Sequence, residues 1–160
     1  MEGLWYKEVE QGRRFVIKIA PGESLRRRLI EFAQAALVKH AVLVSAVGSV
    51  QDVHFRGIKT GARLPITPPR IHLHEVQGPL ELLALTGNLF PDEQGATDCH
   101  LHVMGGKSSG EVLGGHLLDA RVFATCEIVL TEILAEGLER HHSRTGGVDT
   151  LYIDAPRAPP

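Results

Sequence analysis

Apolar and polar positions alternate along most of this chain with the two-residue period of half-buried strands, and only one stretch carries the three-and-four spacing of a helix. Phe15, Ile17 and Ile19 alternate with Val16 and Lys18, which predicts a strand from Phe15 to Ala20. Leu4 to Val9 reads as a shorter strand before it, joined through Gln11-Gly12-Arg13 as a hairpin turn. Pro21-Gly22 ends the pair. From Glu23 to about His40 the pattern changes: Leu25, Leu29, Phe32, Ala33, Ala36 and Leu37 form one apolar stripe, and Ser24 is placed to cap the first turn. Ala41 to Val44 then reads as a buried strand, and the small residues Ser45 to Val50 as a bend or a site of close backbone packing. Strand character resumes at Val53 to Ile58. A proline-rich loop follows from Gly61 to Arg70, and further strands are expected at Ile71–His74, Leu80–Thr86, Cys99–Val103, Glu111–Leu118, Val122–Leu134 and Val148–Ile153. Pro91 to Gly95 reads as a turn and His141 to Gly147 as a polar, mobile loop. Many strands with one helix predict an α+β domain: a mostly antiparallel, curved sheet with the helix covering one apolar face. Residues 1–154 form that single domain, and 155–160 read as a disordered tail.

Composition narrows the class. At 160 residues, with 43% hydrophobic and 22% charged, the chain suits one globular domain with a sizeable core. Its 17 Lys and Arg against 19 Asp and Glu give a formal charge of −2, so nothing attracts nucleic acid strongly overall. Arg26, Arg27 and Arg28 lie off the helix stripe between Glu23 and Glu31, and read as a solvated face rather than a basic patch. The two cysteines, Cys99 and Cys126, sit in apolar runs and are expected as reduced core thiols of a cytoplasmic protein. No signal peptide and no membrane span are expected.

The chemistry concentrates between Cys99 and Leu117. On a strand, His100 and His102 leave the same face, while Cys99, Leu101 and Val103 turn the other way. Gly105 to Gly110 reads as a turn, after which an antiparallel strand returns His116 beside the pair. Gly114 and Gly115 leave room for close approach to the backbone. Three neutral imidazoles with one open position suit zinc or another divalent metal and leave space for water or a small-molecule ligand. Ile71-His72-Leu73-His74 is a second His-x-His, read as a half-exposed strand edge because no Gly-Gly-His follows it. Glu81 is the odd residue of an apolar strand. It faces solvent at a sheet edge, or it stands near the histidines as a catalytic candidate, an acid/base or a group that orients the site; both readings stay open.

Gly78-Pro79-Leu80-Glu81-Leu82-Leu83-Ala84-Leu85-Thr86-Gly87 closely resembles a G-P-F-E-[IV]-L-S-L-[ST]-G stretch of the plants-and-prokaryotes-conserved (PPC) domain family. His100-Leu101-His102-Val103, followed by Gly110 to Leu117 in the pattern Gly-x-Val-x-Gly-Gly-His-Leu, resembles its second signature. Pro21 to Leu25, Val47 to Val50 and Cys126 to Glu132 fit as well, in order, over residues 13–134. The resemblance implies a single α+β domain of a prokaryotic stand-alone member that assembles as a homotrimer. It also implies that His100, His102 and His116 correspond to the metal-binding histidines of prokaryotic members. Plant members carry an AT-hook before this domain in nuclear DNA-associated proteins. No Arg-Gly-Arg-Pro hook or basic extension occurs here, so DNA binding is expected to be weak or absent. The fold is also similar to that of acetolactate decarboxylase, a zinc lyase with a three-histidine site, in fold and ligand type only. Three functions follow: a metal-binding trimer with a DNA-associated or regulatory role, a metal-dependent lyase or hydrolase, and a trimeric interaction module with a structural metal.

Overall fold

The computed structural model describes residues 3–154. Eight strands and one α-helix follow in the order β1 (Glu10–Ile19), α1 (Leu25–Ala35), β2 (Ala41–Ile58), β3 (Ile71–Val76), β4 (Leu80–Pro91), β5 (Thr97–Gly106), β6 (Val112–Leu134), β7 (Leu138–Ser143) and β8 (Val148–Ile153), with a short 3-10 turn at Pro68–Arg70. Six strands form an antiparallel sheet in the order β1-β6-β5-β4-β2-β3, and β7 and β8 form a separate hairpin. β6 also pairs with β2, so the run β6-β5-β4-β2 closes on itself and the sheet curls. The expected mostly antiparallel, curved α+β architecture is therefore what the chain adopts.

The inner face holds the core. Leu25, Leu29 and Ala33 of α1 are at most 1% exposed and pack with Leu85, Leu89, Leu101, Val103 and Ile128 from the strands. Ser24 caps the helix as expected: its Oγ accepts the Arg27 backbone N–H (3.1 Å), and its hydroxyl donates to the Asp119 carboxylate (2.8 Å). The N–H of Arg26 donates to the same carboxylate (3.2 Å), so β6 anchors the helix start.

Several boundaries differ from the sequence reading, each for a local reason. Residues 4–9 form no strand, and no hairpin forms, because Glu10 to Arg14, where the pattern predicts a turn, run on as β1 along β6. Gln11-Gly12-Arg13 is a bulge inside β1 rather than a turn. There the Glu132 carboxylate accepts from the Arg13 backbone N–H (3.1 Å) and from its guanidinium Nε (2.7 Å), and a Cβ on Gly12 would stand 2.8 Å from that carboxylate. The helix stops at Ala35, short of His40. Leu37 takes φ 54°, its N–H donates to Gln34 O, and the Val38 N–H donates to Ala33 O. This is a Schellman cap with leucine where glycine is usual. The two strands expected around Ser45–Val50 are one, β2, bent at register shifts on either side of Gly48. A Cβ on Gly48, at φ 150°, would lie 2.1 Å from the Thr125 carbonyl, so close backbone packing excludes a side chain there. Glu111–Leu118 and Val122–Leu134 likewise join as β6. His141 to Ser143 belong to β7 rather than to a mobile loop. The tail expected at 155–160 lies outside the described residues.

Candidate metal centre

Register brings the three histidines together. His102 pairs with His116 across β5 and β6, Thr86 with His102 across β4 and β5, and Arg56 with His116 across β2 and β6. One row across four strands therefore reads Thr86, His102, His116, Arg56, on the outer face of the sheet, and His100 stands two residues along β5 from His102. The Nε2 atoms of His100 and His102 are 3.2 Å apart, and the ligand atoms of all three rings lie within 4.8 Å of one another. Among the described residues this is the one such cluster. Zinc with nitrogen ligands at about 2.0–2.1 Å in a tetrahedron needs nitrogens about 3.3 Å apart, so the donor set fits a divalent ion.

The surroundings favour the neutral, ligating form of His116 and His100. Burial, and then the positive charge of Arg56, push the proton affinity of His116 down to about 4. Burial, and then Arg140, lower that of His100. Burial pushes the thiols of Cys99, beside the cluster, and Cys126, farther along β6, up to about 11, so these free, buried cysteines stay protonated, as expected of core thiols.

The glycines of the returning strand play a different part from the one expected. A Cβ on Gly114 would meet the Val103 carbonyl at 2.1 Å, and one on Gly115 the Arg56 carbonyl at 2.6 Å. They let neighbouring strands approach, and Gly115 also lines the cavity beside the histidines.

Two sequence candidates lie elsewhere. Glu81 is exposed and pairs with Gly106, four β5 residues beyond His102, about 13 Å along the strand. It does not line the histidine cavity. His72 and His74 sit on edge strand β3, stacked on each other with ring centroids 4.5 Å apart, and His74 stacks on Phe55 at 4.7 Å. Neither joins the cluster.

Sequence reasoning missed the cavity's charged lining. A cavity of about 600 Å³ opens on the three histidines and is lined also by Arg26, Arg56, Asp98, Arg140 and Asp149. The β7–β8 hairpin covers one side of it and is tied to the proline-rich loop by an Ile66 N–H to Gly146 carbonyl bond of 2.8 Å. Arg140 of β7 is 5% exposed. It donates to Asn88 Oδ1, its Nη1 lies 3.4 Å from His100 Nδ1, and its Nε is 3.8 Å from Asp98. No strand pattern points to such a partner, because 40 residues separate Arg140 from His100.

A family model for the Plants and Prokaryotes Conserved (PCC) domain matches residues 6–134. The chain belongs to this family. The crystal structure of a metal-containing protein from Archaeoglobus fulgidus superposes with a TM-score of 0.80 at 30% identity, over 92% of this chain and 99% of that one. A bifunctional protein GlmU from Synechococcus sp. is 29% identical over 143 residues, which is 89% of this chain and 20% of that protein. An AT-hook motif nuclear-localized protein from Arabidopsis thaliana is 30% identical over 102 residues, 62% of this chain and 22% of that protein. The chain thus spans about a fifth of the length of the curated relatives it matches. The PCC match ends before β7, so Arg140 comes from residues beyond it. No helix among the described residues is long and apolar enough to cross a membrane.

Proposed function

We propose that this PCC-domain protein binds one divalent metal ion per chain, zinc first, through His100, His102 and His116, and works as a homotrimer. The observation that carries this reading is the convergence of three imidazoles whose ligand atoms lie within 4.8 Å. The metal-containing relative from Archaeoglobus fulgidus supports it. A divalent ion on three protein ligands supplies Lewis acidity at a position open to an exogenous ligand. This chain's own part is to hold His116 neutral through burial and Arg56, and to shape a mostly apolar cavity beside the cluster.

Assembly is supported by the outer face of the sheet. Val42, Val47, Leu83, Met104 and Phe123 are 37% to 56% exposed, apolar side chains that a single chain leaves to water. A DNA-associated or regulatory role takes its support from the AT-hook relative. The formal charge of −2 limits it to weak, salt-sensitive contact.

A second reading, a metal-dependent lyase or hydrolase, is favoured by one observation: the histidines face a cavity of about 600 Å³, the size of a small-molecule site. Asp98 and Asp149, not Glu81, are the carboxylates that line it.

Elemental analysis of protein purified without chelator tests the metal reading. One equivalent per chain is expected, lost in His102→Ala and in His116→Ala. Full metal content retained in both variants overturns the assignment and turns attention to His72 and His74.

A further inference from the structure

We propose that the histidine cavity binds an organic carboxylate with an apolar body, its carboxylate held by Arg140 and Arg56 beside the metal. This rests on the metal reading above and names the ligand class of the same site.

The charges come first. Three guanidinium groups line the cavity, those of Arg26, Arg56 and Arg140, against two carboxylates, Asp98 and Asp149. Arg26 is engaged: its Nη2 donates to Asp98 at 2.6 Å. Asp149 accepts from His142 on the hairpin at 2.9 Å. Arg56 makes no side-chain hydrogen bond or ion pair among the described residues. Arg140 is almost wholly buried, and its Nε has an ion-pair neighbour in Asp98 at 3.8 Å but no hydrogen-bond partner. A buried guanidinium donor left without a hydrogen bond costs stability, so a bound anion that supplies one is favoured. With three neutral histidines, a divalent ion brings its full charge to a wall that is already positive by one, and that sum favours an anion.

Arg140 Nη1 lies 3.4 Å from His100 Nδ1; were His100 to hold a metal through Nε2, its Nδ1 would carry the proton and could not accept from Nη1. The planar fork of arginine matches a carboxylate in two parallel bonds. The rest of the wall is aliphatic: Ile58, Ile66, Ile71, Leu118 and Val148 line the cavity. An anion with no hydrocarbon body leaves this surface wet, whereas a short-chain carboxylate covers it.

The test uses the full chain with cobalt(II) loaded in place of zinc and sodium hexanoate as the probe. Metal content is read first. Hexanoate is expected to change the visible cobalt spectrum saturably, with acetate at least about tenfold weaker, since each buried methylene is worth about fourfold in affinity. Arg140→Gln and Arg56→Gln are expected to keep the metal and to weaken hexanoate by about tenfold or more, as loss of a charge-assisted bond predicts. Arg56 is only partly buried, so its variant gives the answer even where Arg140→Gln fails to fold. A metal-loaded protein whose spectrum hexanoate leaves unchanged, or metal-loaded variants that bind hexanoate as wild type does, overturn the carboxylate proposal and leave the metal reading standing. Inorganic phosphate binding as tightly as hexanoate overturns the assignment of a carboxylate with an apolar body. Wild-type protein that takes up no metal overturns both.

Discussion

Acidification should weaken the metal-free fold through one ring. His116 is held neutral by burial and by Arg56, with its folded proton affinity near 4 against 6.5 when unfolded. Because that affinity is lowered by folding, the unfolded chain binds more protons across this window, and stability is complete above pH 6.5 and is lost as pH falls toward 4. Linkage gives a loss of about 2 kcal/mol by pH 5 and about 3 kcal/mol by pH 4, relative to pH 8. For a domain of this size each kcal/mol moves Tm by about 2–4 °C, so His116 alone should account for a drop of about 4–8 °C at pH 5. His100, lowered in the same direction, adds to the loss. Glu23 and Glu132, held low by Arg28 and Arg13, add their own losses at more acid pH, so the measurement is made by difference. Urea unfolding of chelator-treated wild type is compared with His116→Gln, which keeps a polar side chain that cannot protonate. The variant's stability should fall less between pH 8 and pH 5, by about 2 kcal/mol. Arg56→Gln should lie between the two, since burial remains and the charge is gone. Parallel curves for wild type and His116→Gln would refute the placement of His116 in a desolvated, positively flanked site.

Further outcomes test other parts of the structure. Zinc at about a thousandfold over its dissociation constant should stabilise the wild-type fold by about 4 kcal/mol in a thermal melt, and His102→Ala should abolish the shift. Leu29→Ala removes a fully buried helix side chain and should lower unfolding free energy by about 2–5 kcal/mol in urea titration. Met104→Glu on the apolar outer face should lower the mass found by light scattering from that of a trimer, and a wild-type monomer at micromolar concentration would remove the homotrimer. Fluorescence anisotropy with duplex DNA should show only weak binding that collapses with modest salt, and tight binding at physiological salt would contradict this.

The period of the apolar pattern made most of the sheet legible, because alternation sets which face each residue takes once a strand is recognised. His100 and His102 followed from that rule alone, and His116 from the turn between β5 and β6, since a tight antiparallel return fixes its register. What alternation cannot show is where one strand ends and the next begins when bulges carry the bend. The pattern therefore predicts two strands in each of β2 and β6, although each runs unbroken through its register shifts. The helix end was hidden because Leu37 occupies a left-handed position that glycine usually marks. Glu81 drew attention as a carboxylate among apolar residues, but an exposed position in an alternating strand accounts for it, and register puts it four residues too far along. Arg140 gave no signal because a long-range contact from a separate hairpin has no local pattern.

β6 explains why the centre and the fold depend on each other. At one end it presents His116 to His102; three residues on, Asp119 holds Ser24 and the first turn of α1; near its other end Glu132 gathers the bulge of β1. A local change in the twist of this strand therefore shifts the third metal ligand relative to the pair on β5 and pulls on the helix start as well. Asp119→Asn separates these effects. It keeps the side chain's shape but removes the charge that accepts from Ser24 Oγ and the Arg26 N–H, charge-assisted bonds worth about 1.5–3 kcal/mol each, and so should lower stability by about 1–2 kcal/mol because the amide oxygen can still accept one of them. If β6 acts as a rigid frame, metal stoichiometry should stay at one per chain in Asp119→Asn while the metal's affinity falls in proportion to the lost stability, measured by chelator competition and urea unfolding on the same samples. An affinity unchanged beside a clear loss of stability would show that the β5–β6 hairpin holds the centre by itself, with the rest of the strand serving only the helix.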